Sequence, residues 1–187
     1  MKYLRNVSEV CTSLVDWWLE AGGGGGGIPS RRAFNPSEHK ASLPCLFILE
    51  RLSPDNVTAR VVGTKIDNWF GMGVTGRNLL DLPKTDGTRE QHAVYYNSLL
   101  DYPCAGRLSR HAFRADGTEY VYDSIHLPLA DDDGAPRFLI GAGVADLYVP
   151  AYGDPVHTMH DRTRHRHCDF VDIGFGVPQV AQEVSAS

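Results

Sequence analysis

The chain has 187 residues, 42% hydrophobic and 10% aromatic, which is enough for one ordinary domain with extensions and a real core. Lys and Arg total 18 against 23 for Asp and Glu, so the net charge of -5 gives no bulk attraction to nucleic acid or to anionic lipid. No stretch has the apolar length of a membrane span, and Arg5, Glu9 and Asp16 interrupt the N-terminal segment as no signal peptide would tolerate, so the expected location is the cytoplasm.

Residues 2 to 20 read as a helix, because Leu4, Val7, Cys11, Leu14 and Trp18 recur at spacings of three and four, flanked by Tyr3, Val10 and Trp17. About four turns cannot stand alone in water, so this face must be buried, on the chain's own sheet or on a second copy. A face that includes both tryptophans is wide enough for both contacts. The expectation is a symmetric homodimer with Leu4, Val7, Cys11, Leu14, Trp17 and Trp18 in the interface. Gly22 to Gly27 follow, too free a backbone to continue the helix, and they read as a swivel or a surface spacer.

"IPSRRAFNP" has two prolines and no periodicity, which suggests an ordered lapping segment; Arg31 and Arg32 there pair with local carboxylates or grip an anion. "CLFILERL" and "VTARVVGTKI" are strand-like, joined by the turn "SPDN", and Gly63 marks a bulge or a close approach of other backbone. "TREQHAVYYNSLLDYP" is the one strong helix inside the domain, with Thr88 as its cap and Pro103 as its stop. "GRLSRHAF", "TEYVYDSIHLPL" and "RFLIGAGVADLY" are strands separated by "RADG" and "ADDDGAP", each with the Asp-Gly hairpin signal, so they form a meander. The natural closure is an α+β fold, a five-stranded antiparallel sheet with helices on one face and the N-terminal amphipathic helix added.

This order, together with "TGRNLLDL", "RADGTEYVYDS" and "GAGVADL", resembles a PAS domain over about residues 17 to 148. "IPSRRAFNP", Leu43-Pro44 and "ARVVGT" make it similar to a family of stand-alone bacterial PAS proteins. The resemblance divides the chain into a helix at 1–21, a polyglycine linker at 22–27, a PAS domain at 28–148 and a His-rich, partly disordered tail at 149–187. It also implies that the chain after Thr64 wraps over one sheet face as a pocket wall. Trp69 and Phe70 then plug the cavity while Gly71, Gly73 and Gly76 make tight turns, or else the two rings are ordinary core. Tyr95, His111, Phe113, Tyr122, His126 and Ile140 are the further lining candidates, although alternation alone does not say which strand face points inward.

"TGRN" is shared with the flavin-binding light sensors of the superfamily, whose next residue is the adduct-forming cysteine; here it is Leu79, which has no nucleophile. His92 and His111 are positional candidates for haem. No Gly-x-Ser-x-Gly, phosphate loop or dinucleotide unit is present, so no catalytic residue is assigned and a non-enzyme is expected. The prolines after Tyr148 forbid a continuing helix, so output has to pass through another protein.

The four cysteines form no Cys-x-x-Cys pair. The tail's His157, His160, His167 and Cys168 are borderline-soft ligands for zinc, nickel or copper, but their spacing matches no closed site and intervening arginines repel a cation, so a solvated tail is preferred. The function expected is therefore a sensory or regulatory module working through a protein partner, with a small molecule in the PAS cavity as an option and no cofactor named. A haem- or metal-binding redox sensor is the alternative.

Overall fold

In the computed structural model, which describes residues 1–82, 88–113, 118–147 and 165–179, the apolar and alternating runs become six antiparallel strands. They are β1 (Leu46–Ser53), β2 (Asn56–Val62), β3 (Ala105–Phe113), β4 (Glu119–Ala130), β5 (Pro136–Leu147) and β6 (His165–Val171), in the spatial order β2-β1-β5-β4-β3-β6. The β1–β2 and β4–β5 hairpins form where the sequence places them. At the second, the Asp131 side chain accepts from the N–H groups of Asp133 and Ala135, and Gly134 takes a left-handed φ of 84°. The "RADG" turn lies outside the described residues.

Period-two alternation sends successive side chains to opposite faces, and both faces are covered. On the outer face, Leu46, Ile48, Ile125, Leu127, Leu129, Ile140 and Ala142 meet α1 (Lys2–Arg5) and α2 (Glu9–Glu20) through Leu4, Cys11, Leu14, Val15 and Trp18. The expected single helix is thus two, because Ser8 caps α2 by accepting from the Cys11 N–H. On the inner face, Phe47, Leu49, Val57, Ala59, Leu108 and Leu139 lie under α3 (Thr64–Phe70) and α4 (Thr88–Asp101).

The residues expected in a dimer interface are already buried within the chain. Leu4, Cys11, Leu14 and Trp18 are at most 1% exposed, and the Trp18 indole N–H donates to the Pro128 carbonyl at 2.9 Å. Trp17 and Val7 are half-buried; Trp17 packs edge-on against Phe34 of the lapping segment at 5.0 Å. Of the two burial sites open to the helix, the structure uses its own sheet.

Two other departures from the sequence reading concern the segments at either end. The hexaglycine is a tight turn and not a free spacer. Gly22, Gly24, Gly25 and Gly26 have positive φ, the Gly26 N–H donates to Ile173 O at 2.9 Å, and a Cβ on Gly23 would lie 2.2 Å from the Trp18 ring. The sheet also has one strand more than the five expected: β6, from the segment read as tail, pairs antiparallel with β3. Ile173 follows it into the outer core, and Tyr3 donates to Asp169 at 2.9 Å. Gly63 is a close approach as expected, since a Cβ there would stand 2.3 Å from both the Leu43 and Pro44 carbonyl oxygens.

Trp18 joins α2, the glycine turn and β4, so Trp18→Ala leaves a cavity that its neighbours cannot refill. We expect it to lower unfolding free energy by about 3–5 kcal/mol in denaturant titration. A variant that unfolds at the wild-type midpoint would place this ring outside the core.

Candidate functional site

The inner face is the candidate site. Paired residues share a face, so the pairs Gly106↔His126, Leu108↔Ser124 and Arg110↔Tyr122, with Gly141↔His126, Gly143↔Ser124 and Ala145↔Tyr122, define its floor. Three of these positions are glycines, and each one's absent Cβ makes room for an aromatic ring. A Cβ on Gly106 would meet the Tyr95 hydroxyl at 2.4 Å, one on Gly141 the Phe47 ring at 2.1 Å, and one on Gly143 the Tyr122 hydroxyl at 1.9 Å. The floor is therefore covered by the protein's own rings.

Among these rings Tyr95 and His126 are paired, whereas Arg110 Nε is buried without a hydrogen-bond partner among the described residues. Tyr95 and His126 Nδ1 share a hydrogen bond of 3.0 Å, and Tyr95 packs against Phe170 of β6 at 5.5 Å. Burial drives the His126 pKa down from 6.5 to about 3, assisted by the positive charge of Arg110, so the ring is neutral. Burial likewise pushes both Tyr95 and Tyr122 up, keeping their hydroxyls protonated. Arg110 lies over Phe70 at 5.3 Å and Tyr122 at 5.2 Å, with His92 Nε2 3.3 Å away.

Of the predicted lining residues, Tyr95, Tyr122 and His126 meet on this face with Phe70 and Trp69. Phe70 packs on Tyr122 and Trp69 on Tyr120, each at 5.7 Å, and both are half-buried where the wall leaves the sheet. His111 and Ile140 are on the opposite face. Ile140 belongs to the outer core beneath α1 and α2, and His111 Nδ1 contacts Glu119 at 2.7 Å. The side chain of Phe113 lies outside the described residues, as do His157, His160 and the side chain of His167. Cys168 is half-buried on β6, and burial raises its thiol pKa to about 12.

Sequence reasoning missed Phe47, Tyr96, Arg110 and the three floor glycines. The Gly-Ala-Gly at 141–143 was the available signal, since small residues alternating on one strand face mark room for something large. Asn78 of "TGRN" has a local task. Its side-chain oxygen accepts from the N–H groups of Val57 and Leu80, at 3.0 and 3.2 Å, and its amide donates to Asp55 O, tying the wall to β2.

A family model described as a PAS domain matches residues 7–144. The chain belongs to the PAS domain family. Among solved structures, it is similar to a light-oxygen-voltage domain studied with a flavin analogue, at 18% identity over 59% of this chain and 82% of that one, TM-score 0.45. It is also similar to a Rhodobacter sphaeroides LOV protein, at 12% identity over 60% and 68%, TM-score 0.44. A third is the LOV domain of an Erythrobacter litoralis blue-light activated histidine kinase, at 22% identity over 56% and 96%, TM-score 0.42. No curated protein matches the chain.

Because folded His126 resists protonation, the unfolded chain takes up the proton first as pH falls. The stability contributed by neutral His126 is complete above about pH 6.5 and is lost progressively toward about pH 3, by at most about 1.4 kcal/mol per pH unit. We expect His126→Gln to flatten this part of the stability profile between roughly pH 7 and pH 4.5 in urea titrations. Parallel profiles for the two proteins would mean that His126 is solvated.

Proposed function

We propose that this PAS domain is a non-enzymatic sensory or regulatory module of the cytoplasm that acts by binding another protein. One observation carries the reading: the sheet face that forms a PAS cavity is filled by Phe47, Tyr95 and Tyr122, seated on three glycines. A small molecule of any size must displace these rings and leave Tyr95 and His126 without each other, at the cost of exposing buried polar groups. Partner binding makes no such demand, so a cavity ligand is the secondary mode.

A haem or metal redox sensor fits the side chains less well. His111 faces away from the cavity and contacts Glu119, and His92 has a guanidinium beside its Nε2, where an iron would bring a second positive charge. The absence of any described helix long and apolar enough to cross a membrane is compatible with the proposed location.

A homodimer belongs to the proposal in one form. Since Leu4, Cys11, Leu14 and Trp18 are buried on their own sheet, a second copy can use them only by exchange, each α1–α2 unit docking on the partner's outer face with the same contacts. Native mass spectrometry with an absorbance spectrum of freshly purified protein tests both parts. We expect the bare polypeptide, 20.6 kDa per chain, as a two-chain species with no absorbance beyond that of its aromatic residues. Copurifying haem, flavin or another small molecule would overturn the partner-first reading, and a one-chain species alone would remove the exchanged dimer.

A further inference from the structure

A second concavity lies on the outer face, at the corner of β2, β1 and β5 away from α2. It has a volume of about 660 Å³ and is lined by Arg31, Arg32, Glu50, Arg60, Arg137 and Phe138, among others. Its centre breaks the local pattern. Leu46 and Ile48 of β1 face the outer core, and the next residue in that alternation is Glu50, a carboxylate only 8% exposed. A buried carboxylate is costly unless paired, and this one takes two guanidiniums: Arg60 Nε on one oxygen and Arg137 Nη2 on the other, the latter at 2.7 Å.

Arg60 shares the face of Glu50, two residues along β2 from Thr58, the cross-strand partner of Glu50, whereas Arg137 reaches it through an irregularity in the sheet. Ile48 pairs with Val61 and Leu49 with Ala59, which leaves Arg60 as the extra residue of a β-bulge; Leu129 pairs with Phe138 and Ala130 with Pro136, which leaves Arg137 as another. A bulge re-aims a side chain, and bulges collect beside functional sites. Here the bulge on β5 turns Arg137 onto the carboxylate that Arg60 already faces. Arg31 lines the same cleft, its guanidinium 5.5 Å above the Phe138 ring.

We propose that this cleft binds a phosphorylated small molecule, with Arg31, Arg60 and Arg137 holding the phosphate. Each guanidinium has five N–H donors in a planar fork, and Glu50 engages one nitrogen of Arg60 and one of Arg137, so both keep donors for a ligand. Three guanidiniums match the three oxygens and up to two charges of a phosphate monoester better than the two oxygens of a carboxylate. The cleft's other carboxylates are Asp131, Asp132 and Asp133. Asp131 accepts from its own turn, and Asp132 pairs with Arg32 at side-chain exposures of 61% and 77%, a weak contact that an incoming anion displaces. Val61, 46% exposed, and Phe138 supply an apolar wall for the organic part of the ligand.

The test is calorimetric titration of the intact protein with AMP and, separately, inorganic pyrophosphate. The expected result is saturable binding that weakens as salt is added. Arg31→Gln should weaken it at least about tenfold with an unchanged melting temperature, and Asp132→Asn, which frees Arg32, should tighten it. Arg137→Gln should also weaken it; should that protein melt early because Glu50 loses a partner, Arg31→Gln alone decides. No saturable binding of either probe, or wild-type affinity in Arg31→Gln, overturns the proposal.

Discussion

Three missing Cβ atoms set the character of this domain. Gly106, Gly141 and Gly143 allow Tyr95, Phe47 and Tyr122 to lie directly on the inner face of the sheet. Once the rings are seated there, α4 packs down through Tyr95 and Tyr96, Arg110 is held over Tyr122 and Phe70, and His126 is buried deeply enough to stay neutral. Any side chain at those glycines would lift a ring and reopen the layer between sheet and helix. The same close packing brings the Tyr95 and Tyr122 hydroxyls and the Phe47 ring right down onto the sheet backbone.

The outer face is closed by a different device, in which the two ends of the chain hold each other. The glycine turn curls around the Trp18 ring and offers an N–H to Ile173, while Gly174 is so close to the turn that a Cβ on it would approach Gly26 N to 2.3 Å. Tyr3 bonds Asp169 of β6 and stacks beneath Arg107 of β3 at 4.8 Å. The helical segment, the hexaglycine and β6 are therefore joined by direct contacts, although they are far apart in sequence.

What was legible in the sequence is what local chemistry decides. The apolar run of β1, the alternation of β2, the Asp-Gly turn after Ala130 and the Thr88–Asp101 helix follow from periodicity and turn residues, and their order was enough to indicate the PAS family. Interactions between distant segments were not legible. β6 is read as tail because its histidines and arginines have no strand-like alternation, and only the open edge of β3 gives it a place. Glycines carry no side-chain pattern, so a structured glycine turn and a flexible spacer look alike. Bulges likewise leave no mark. Strict alternation from Phe138, the partner of Glu50, would put Arg137 on the opposite face, and the extra residue in β5 is what brings it to the carboxylate. Of the candidate lining residues, Tyr95, Tyr122 and His126 lie at the inner face, while His111 and Ile140 lie on the other, because strand phase is fixed only by register.

Occupation of the PAS interior by the protein's own rings can be read from nuclear Overhauser contacts in the purified protein. The account predicts contacts from Tyr122 ring protons to the Gly143 Hα protons and from Phe47 ring protons to those of Gly141, with the glycine signals shifted upfield by the rings above them. Unshifted glycine signals without these contacts, or contacts from either glycine to protons that do not belong to the polypeptide, would contradict it.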